Sequence, residues 1–349
     1  MRLTTRLPVF AALAASAVLA GCGGASDEVG GGESSSSSSG AQTKLSLVAY
    51  AVPKVGFDKI IPAFQKTEAG KGVTFSQSYG ASGDQSRAVE AGQPADLVNF
   101  SLTPDVTRLV DSGKVAEDWN TSNAEKGIVS SSVVTIVVRK GNPKGIKDWS
   151  DLVKPGVEVV TPNVFSSGSA KWNLLAPYAQ YSNVGKDKAA GLKFVGELLK
   201  NIKTQPKSGR EATQTFLQGK ADALLSYENE ALNIEKNQPE AGIEHVTPPN
   251  TIRIENPFAV LKTSKFPEQA KAFADFNFSA EGQKLWGEAG FRPVLPDVAK
   301  EFADRYPAPK TLYTVEQLGG WSKLNDTLFD PDKGDIAKLY EDAGASTGD

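Results

Sequence analysis

The chain has 349 residues, 40% of them hydrophobic and 23% charged, with a formal net charge of −3. This is an ordinary globular composition, without the basic stripe that nucleic-acid binding requires. One cysteine and one histidine leave almost no room for disulfide frameworks, zinc clusters or histidine-dependent triads, and so for most enzymes.

At this length two lobes are expected rather than one core. Residues 1–22 read as a targeting segment. Arg2 and Arg6 precede an apolar run from Leu7 to Ala20 that is too short to span a bilayer comfortably, and Leu19-Ala20-Gly21-Cys22 closes it. Small residues ahead of a cysteine resemble the lipobox of bacterial lipoproteins, which implies cleavage and lipid attachment at Cys22. Residues 23–43, with Gly30-Gly31-Gly32 and the serine run Ser34–Ser39, have no apolar group to bury and read as a flexible tether. An acylated cysteine on a tether would hold a folded domain beside a membrane, outside the cytoplasm.

The folded part begins near Lys44 as α/β. Leu45–Tyr50 reads as a buried strand, and Phe57, Ile60, Ile61 and Phe64 recur at helical spacing after it. Val73–Ser78 is a second strand, running into Tyr79-Gly-Ala-Ser-Gly83. Leu97–Phe100 is a third, with Thr103 expected to cap the following helix and Gly113 to stop it. Strands alternating with helices predict a mainly parallel sheet. The β-branched run Val133–Val138 is expected to carry the chain into a second lobe, and Phe258–Leu261 is the second candidate hinge strand. The lobes are placed approximately at 44–130 with 258–349, and at 131–257.

The stretch Thr161-Pro-Asn-Val-Phe-Ser-Ser-Gly-Ser-Ala-Lys-Trp-Asn-Leu-Leu175 reads as strand, small-residue loop and helix start. Such a corner aims unpaired backbone N–H groups at an anion, Gly168 allows close approach to the backbone, and the serines add hydroxyl donors. Ser208-Gly209-Arg210 opens another helix, and Ala223–Leu225 leads to Tyr227-Glu-Asn-Glu230. Asp84 and Glu228 are carboxylates able to accept a proton from a ligand, although helix-start charge and ion pairing are the commoner roles. His245, in a predicted strand, reads as structural, and Ser167 has no neighbouring base that would make it a nucleophile.

Several stretches occur in order: Ser78-Tyr-Gly-Ala-Ser-Gly83, Val138-Arg-Lys-Gly-Asn-Pro-Lys144, Asp148-Trp-Ser-Asp-Leu152, Lys154-Pro-Gly156, Thr161-Pro-Asn163, Ser166-Ser-Gly168, Trp172-Asn173, Glu228-Asn-Glu-Ala-Leu232, Arg292-Pro293 and Gly319-Gly-Trp321. Together they closely resemble the sulfate/thiosulfate-binding proteins of bacterial ABC importers, from about Lys44 to about Leu328. The resemblance implies a two-lobed periplasmic-binding-protein fold that holds a dehydrated oxyanion between its lobes and delivers it to a membrane permease. It implies a monomer with no cofactor, no metal and no catalytic role. The family binds its anion through helix-start amides, one serine hydroxyl and one indole N–H. By position the hydroxyl falls on Ser82, the amides on Ser167, Gly168 and Ser169, and further amides near Ala51 and Gly209. The chain departs from the family in three places. Ala51 replaces an acidic residue, Ser169 and Lys171 replace a glycine and an arginine, and Tyr227 replaces the tryptophan donor. Sulfate or thiosulfate is the expected ligand, with molybdate or phosphate as same-class alternatives and a sulfate- or phosphate-ester hydrolase as the alternative from another class.

Overall fold

The computed structural model describes residues 43–343; the expectations for the leader, Cys22 and most of the tether lie outside them. In the amino-terminal part β1 (Thr43–Tyr50), α1 (Lys54–Phe64), β2 (Val73–Gly80), α2 (Ser82–Glu90), β3 (Leu97–Asn99) and α3 (Thr103–Asp111) alternate as expected. β1 pairs in parallel with both β2 and β3. Thr103 does not cap α3. It is the first helical residue, Leu102 holds the N-cap position, and Pro104 follows within the first turn, where its missing N–H costs nothing.

β4 (Ile128–Arg139) then crosses the molecule. β5 (Val159–Val160), α4 (Gly168–Tyr181), α5 (Lys188–Asn201), β6 (Ile202–Thr204), α6 (Gly209–Leu217), β7 (Ala223–Tyr227), α7 (Glu228–Asn237) and β8 (Ile243–Val246) build the second lobe. β9 (Asn250–Val260) returns, followed by α8 (Pro267–Phe278), α9 (Ala280–Glu288), α10 (Pro296–Glu301), β10 (Thr311–Tyr313), α11 (Gly320–Leu324) and α12 (Asp335–Asp342). The strand order is β2-β1-β3-β9-β4-β7-β5-β6, with β10 beside β9 and β8 beside β4. β5 pairs in parallel with β6 and β7 and β10 in parallel with β9, whereas β9 runs antiparallel to β3 and β4, and β4 antiparallel to β7 and β8, so the sheet is mixed.

The hinge lies just ahead of the two candidate hinge strands: Val134–Val138 already pairs inside the second lobe and Phe258–Val260 inside the first. Ile128–Val133 of β4 lies antiparallel to Arg253–Pro257 of β9, and each strand continues into a different lobe. Its middle is polar and buried: Ser130, Ser132 and Asn256 are each 0% exposed. These residues escape hydrophobic periodicity because a strand buried on both faces need not alternate. Phe57, Phe64, Phe75, Phe258, Phe273 and Trp286 pack as an aromatic cluster that fastens α1, α8 and α9 to the first lobe. The end of the chain goes elsewhere. α12 packs on α5, Phe165 meets Tyr340 edge-on at 5.4 Å, and Trp321 meets Trp172 of α4 at 4.8 Å. The described residues after 258 therefore do not all stay beside the first lobe. No helix among the described residues is long and apolar enough to cross a membrane.

Candidate anion-binding site

Parallel strands end at one edge of a sheet, and helices that follow them present their N-termini there. β1, β2 and β3 end at Tyr50, Gly80 and Asn99, next to the start of α1, the start of α2 and the loop into α3. From the second lobe the starts of α4 and α6 face the same space. The cavity between them is small, about 10 Å³. The first lobe lines it with Tyr50, Ala51 and Val52, then Gly80, Ala81 and Ser82, then Ser101; the second lobe contributes Ser167, Ser169, Ser208 and Gly209. No charged side chain is part of that lining. Helix-start amides carry no intrahelical partner, and each N-terminus adds roughly +0.5 of an elementary charge. The cavity is thus electropositive without a formal cation.

The sequence-predicted residues divide into two groups. Ala51, Ser82, Ser167, Ser169 and Gly209 line the cavity, and Gly168 lies in the turn between Ser167 and Ser169. Ser208 caps α6, its Oγ accepting from Glu211 N at 3.2 Å. Gly168 is needed for a reason beyond ligand approach. A Cβ there would stand 2.8 Å from Leu102 Cγ and 2.9 Å from Ser101 Cβ, so glycine lets the two lobes meet.

Ser82 is placed differently from expectation. Its Oγ donates to Asp105 Oδ2 at 2.6 Å and accepts from Ser101 N at 2.9 Å, so its proton is committed inside the protein. What α2 offers the cavity is backbone. Tyr227 stands one step back: its phenol oxygen is 2.7 Å from Ser101 Oγ, and Ser101 is the residue at the cavity wall. Burial pushes the Tyr227 phenol well up, with the bond to Ser101 opposing, so it stays a neutral hydroxyl. Trp172 Nε1 donates to Ser101 O at 2.8 Å, giving Ser101 a second bond across the cleft.

Behind the lining lie charges, of which the sequence singled out only Lys171. Asp105 is 5% exposed, with Arg108 Nη1 3.3 Å from its Oδ1. Burial pushes the Lys171 ammonium down to about 8, with Asp105 opposing; its Nζ donates to Asn325 Oδ1 at 3.0 Å and lies 5.1 Å from the centre of the Phe329 ring. Glu230 sits behind Gly209, held by Ser226 Oγ at 3.0 Å and Thr213 Oγ1 at 3.3 Å, and burial pushes its carboxyl up. The two carboxylates weighed from sequence are both occupied. Asp84 pairs with Arg87, and Glu228 receives Arg292 Nε at 2.7 Å and Nη2 at 2.8 Å. His245 Nδ1 is 2.7 Å from Glu235 Oε1, away from the cavity.

Ser101 and Asp105 are the residues that sequence reasoning missed. Ala51 and Ser82 came from the family resemblance; a usable signal for Ser101 was its place just after β3, since parallel strands end at one edge of the sheet.

The family model described as "bacterial extracellular solute-binding protein" matches residues 45–292. The sulfate-binding protein of Synechococcus elongatus is 38% identical over 91% of this chain and 92% of its own length. The thiosulfate-binding protein of Pseudomonas aeruginosa is 35% identical over 81% and 88%, respectively. Among solved structures, the sulfate-binding protein SubI from Mycobacterium tuberculosis H37Rv superposes with a TM-score of 0.81 at 55% identity, over 82% of this chain and 100% of that one. The chain belongs to the bacterial extracellular solute-binding protein family.

Proposed function

We propose that this protein captures sulfate or thiosulfate outside the cytoplasm and delivers it to the membrane permease of an ABC transporter. The observation that carries the reading is the cavity itself, where four helix starts and Ser101 converge and no charged side chain intrudes. Sulfate is fully ionised near neutral pH and offers only acceptors, which suits a wall of neutral donors. Such a wall avoids burying a formal countercharge, whose desolvation is costly. Hydrogen bonds to a charged group contribute roughly 1.5–3 kcal/mol each, so about six can offset dehydration and leave micromolar affinity, about −8 kcal/mol. The relatives' names support the ligand class and the absence of catalysis.

Titration calorimetry of the full chain with sulfate and thiosulfate tests the proposal. Micromolar binding is expected, with little loss as an inert monovalent salt is raised, because buried interactions are poorly screened. A steep fall with salt would point to an exposed basic patch and end the cavity reading.

We also propose that lipid on Cys22 holds the domain at the membrane through residues 23–43. Cys22→Ser is expected to release the protein into the soluble fraction while leaving sulfate affinity unchanged. A variant that stayed membrane-bound without attached lipid would refute the anchor.

A further inference from the structure

Two pairs of facing hydroxyls stand at the cavity, one at the start of α4 in the second lobe and one across the cleft. Ser167 Oγ and Ser169 Oγ are 2.8 Å apart at the start of α4. Ser101 Oγ, fully buried at the cavity wall, is 2.7 Å from the Tyr227 hydroxyl. In each pair either oxygen can be the donor. A hydroxyl carries one proton and two lone pairs, and rotation about its C–O bond chooses which it presents. If Tyr227 donates to Ser101, the Ser101 proton points into the cavity. If Ser101 donates to Tyr227, Ser101 presents a lone pair there instead. The Tyr227 proton is then released from Ser101; the ring of Tyr50 lies 6.5 Å from that of Tyr227, and its buried hydroxyl has no hydrogen-bond partner among the described residues. The Ser167–Ser169 pair reverses in the same way.

These elements differ in kind from the rest of the wall. Backbone amides donate and cannot accept. Ser82 cannot reverse, because its proton is held by Asp105 and one of its lone pairs by the Ser101 amide. A wall of fixed donors leaves a ligand O–H facing N–H, and an unmatched buried polar group of that sort underlies discrimination of about 10⁴–10⁵. A reversible hydroxyl removes the mismatch by turning round. Tyr227 and Ser169 are also two of the places where this chain departs from the pattern it resembles, and each departure adds a hydroxyl.

We infer that the Ser101–Tyr227 and Ser167–Ser169 pairs widen the ligand class of this site to tetrahedral oxyanions carrying one proton, such as hydrogen phosphate and hydrogen arsenate. The inference rests on the oxyanion-binding reading above and deepens it.

Selenate and arsenate separate the two ideas, since they are nearly the same size and at mildly alkaline pH only arsenate carries a proton. Calorimetry of the full chain with sulfate, selenate, phosphate and arsenate is expected to place arsenate within about a hundredfold of selenate, far from the rejection of about 10⁴ by a wall of fixed donors. Ser101→Ala combined with Ser169→Gly removes both pairs and keeps the amides. Both anions then bind more weakly, and the arsenate-to-selenate affinity ratio is expected to fall by at least about tenfold, the factor that one hydrogen bond of about 1.4 kcal/mol carries. Tight sulfate and selenate binding with arsenate about 10⁴-fold weaker in the native protein would overturn this inference and leave sulfate capture standing. Native arsenate binding with an unchanged ratio in the double variant would also overturn it. Failure to bind any of the four anions would overturn the functional reading itself.

Discussion

Gly168→Asp is expected to reduce sulfate affinity by at least about a thousandfold. Two effects add at that position. The first is steric, because a Cβ on Gly168 would lie 2.8 Å from Leu102 Cγ and 2.9 Å from both Ser101 Cβ and Ser101 Oγ. These are atoms near the backbone of a tight loop, so the lobes must separate to admit it. Separation disturbs the two bonds that cross the cleft to Ser101, from Trp172 Nε1 and with the Tyr227 hydroxyl. The second effect is charge. A carboxylate about 4 Å from a bound anion repels it by roughly 4 kcal/mol per pair of unit charges at an effective dielectric of about 20, which is close to a factor of a thousand. Gly168→Ala isolates the steric part and is expected to lose about tenfold, the equivalent of about one hydrogen bond. Calorimetry decides, with thermal unfolding to confirm that both variants fold. A folded Gly168→Asp protein binding sulfate within tenfold of native would remove the start of α4 from the site.

Local signals carried most of this architecture. The run Ser166-Ser-Gly-Ser169 announces a helix start because it lies between a β-branched run and a helix-like apolar segment, and α4 begins at Gly168. Ser208-Gly209 works in the same way and opens α6. The hinge was legible as two strands, Val133–Val138 and Phe258–Leu261, but not in its position, which falls just ahead of both. Its centre is built from Ser130, Ser131, Ser132 and Asn256, and their pairing depends on residues more than a hundred positions away. Helix caps mislead for a related reason. Thr103 has the right chemistry for a cap, yet Pro104 lies inside the first turn and the helix starts one residue earlier than a Thr103 cap would allow.

The site chemistry shows the same division. Which backbones face the cavity follows from strand ends and helix starts, so the corners at Ser167–Ser169 and Gly209 were within reach of the sequence, whereas Ala51 came from the family resemblance. Which hydroxyls are free to act does not follow. Ser82 and Tyr227 sit where the family pattern expects donors. Their actual roles are set by Asp105, 23 residues from Ser82, and by Ser101, 126 residues from Tyr227. A hydroxyl's role depends on its partner, and a partner across the cleft leaves no trace in local spacing. The Arg-to-Lys departure is similar. Lys171 is a surface-type residue by composition, but a later segment folds back and half-buries it against Asn325 and Phe329.

Glu228→Ala is expected to destabilise the fold by about 3–5 kcal/mol, the range for breaking a buried pair by removing one partner. Glu228 is the first residue of α7, where negative charge also suits the helix dipole. Its side chain is 4% exposed and that of Arg292 is 15% exposed. The guanidinium grips both carboxylate oxygens through Nε and Nη2, and its remaining donors reach Tyr306 O at 3.3 Å and Pro307 O at 3.0 Å. The Arg292 backbone exchanges hydrogen bonds with Ser131 of β4 at 2.8 and 3.0 Å, so the pair fastens α7 and the loop after α9 to the hinge strand. Two stretches that look unrelated in the sequence, Glu228-Asn-Glu and Arg292-Pro, are therefore one structural unit. Removing the carboxylate leaves a mostly buried cation with two carbonyls and no countercharge. Replacing both partners, as Glu228→Ala with Arg292→Met, removes the stranded charge, and the double variant is expected to be more stable than Glu228→Ala alone by about 1 kcal/mol or more. Urea unfolding midpoints for the three proteins give the comparison, with the unfolding slopes checked for two-state behaviour. A Glu228→Ala loss under about 1 kcal/mol, the usual ceiling for exposed pairs, would mean that water reaches Arg292 and that the pair does not hold the hinge.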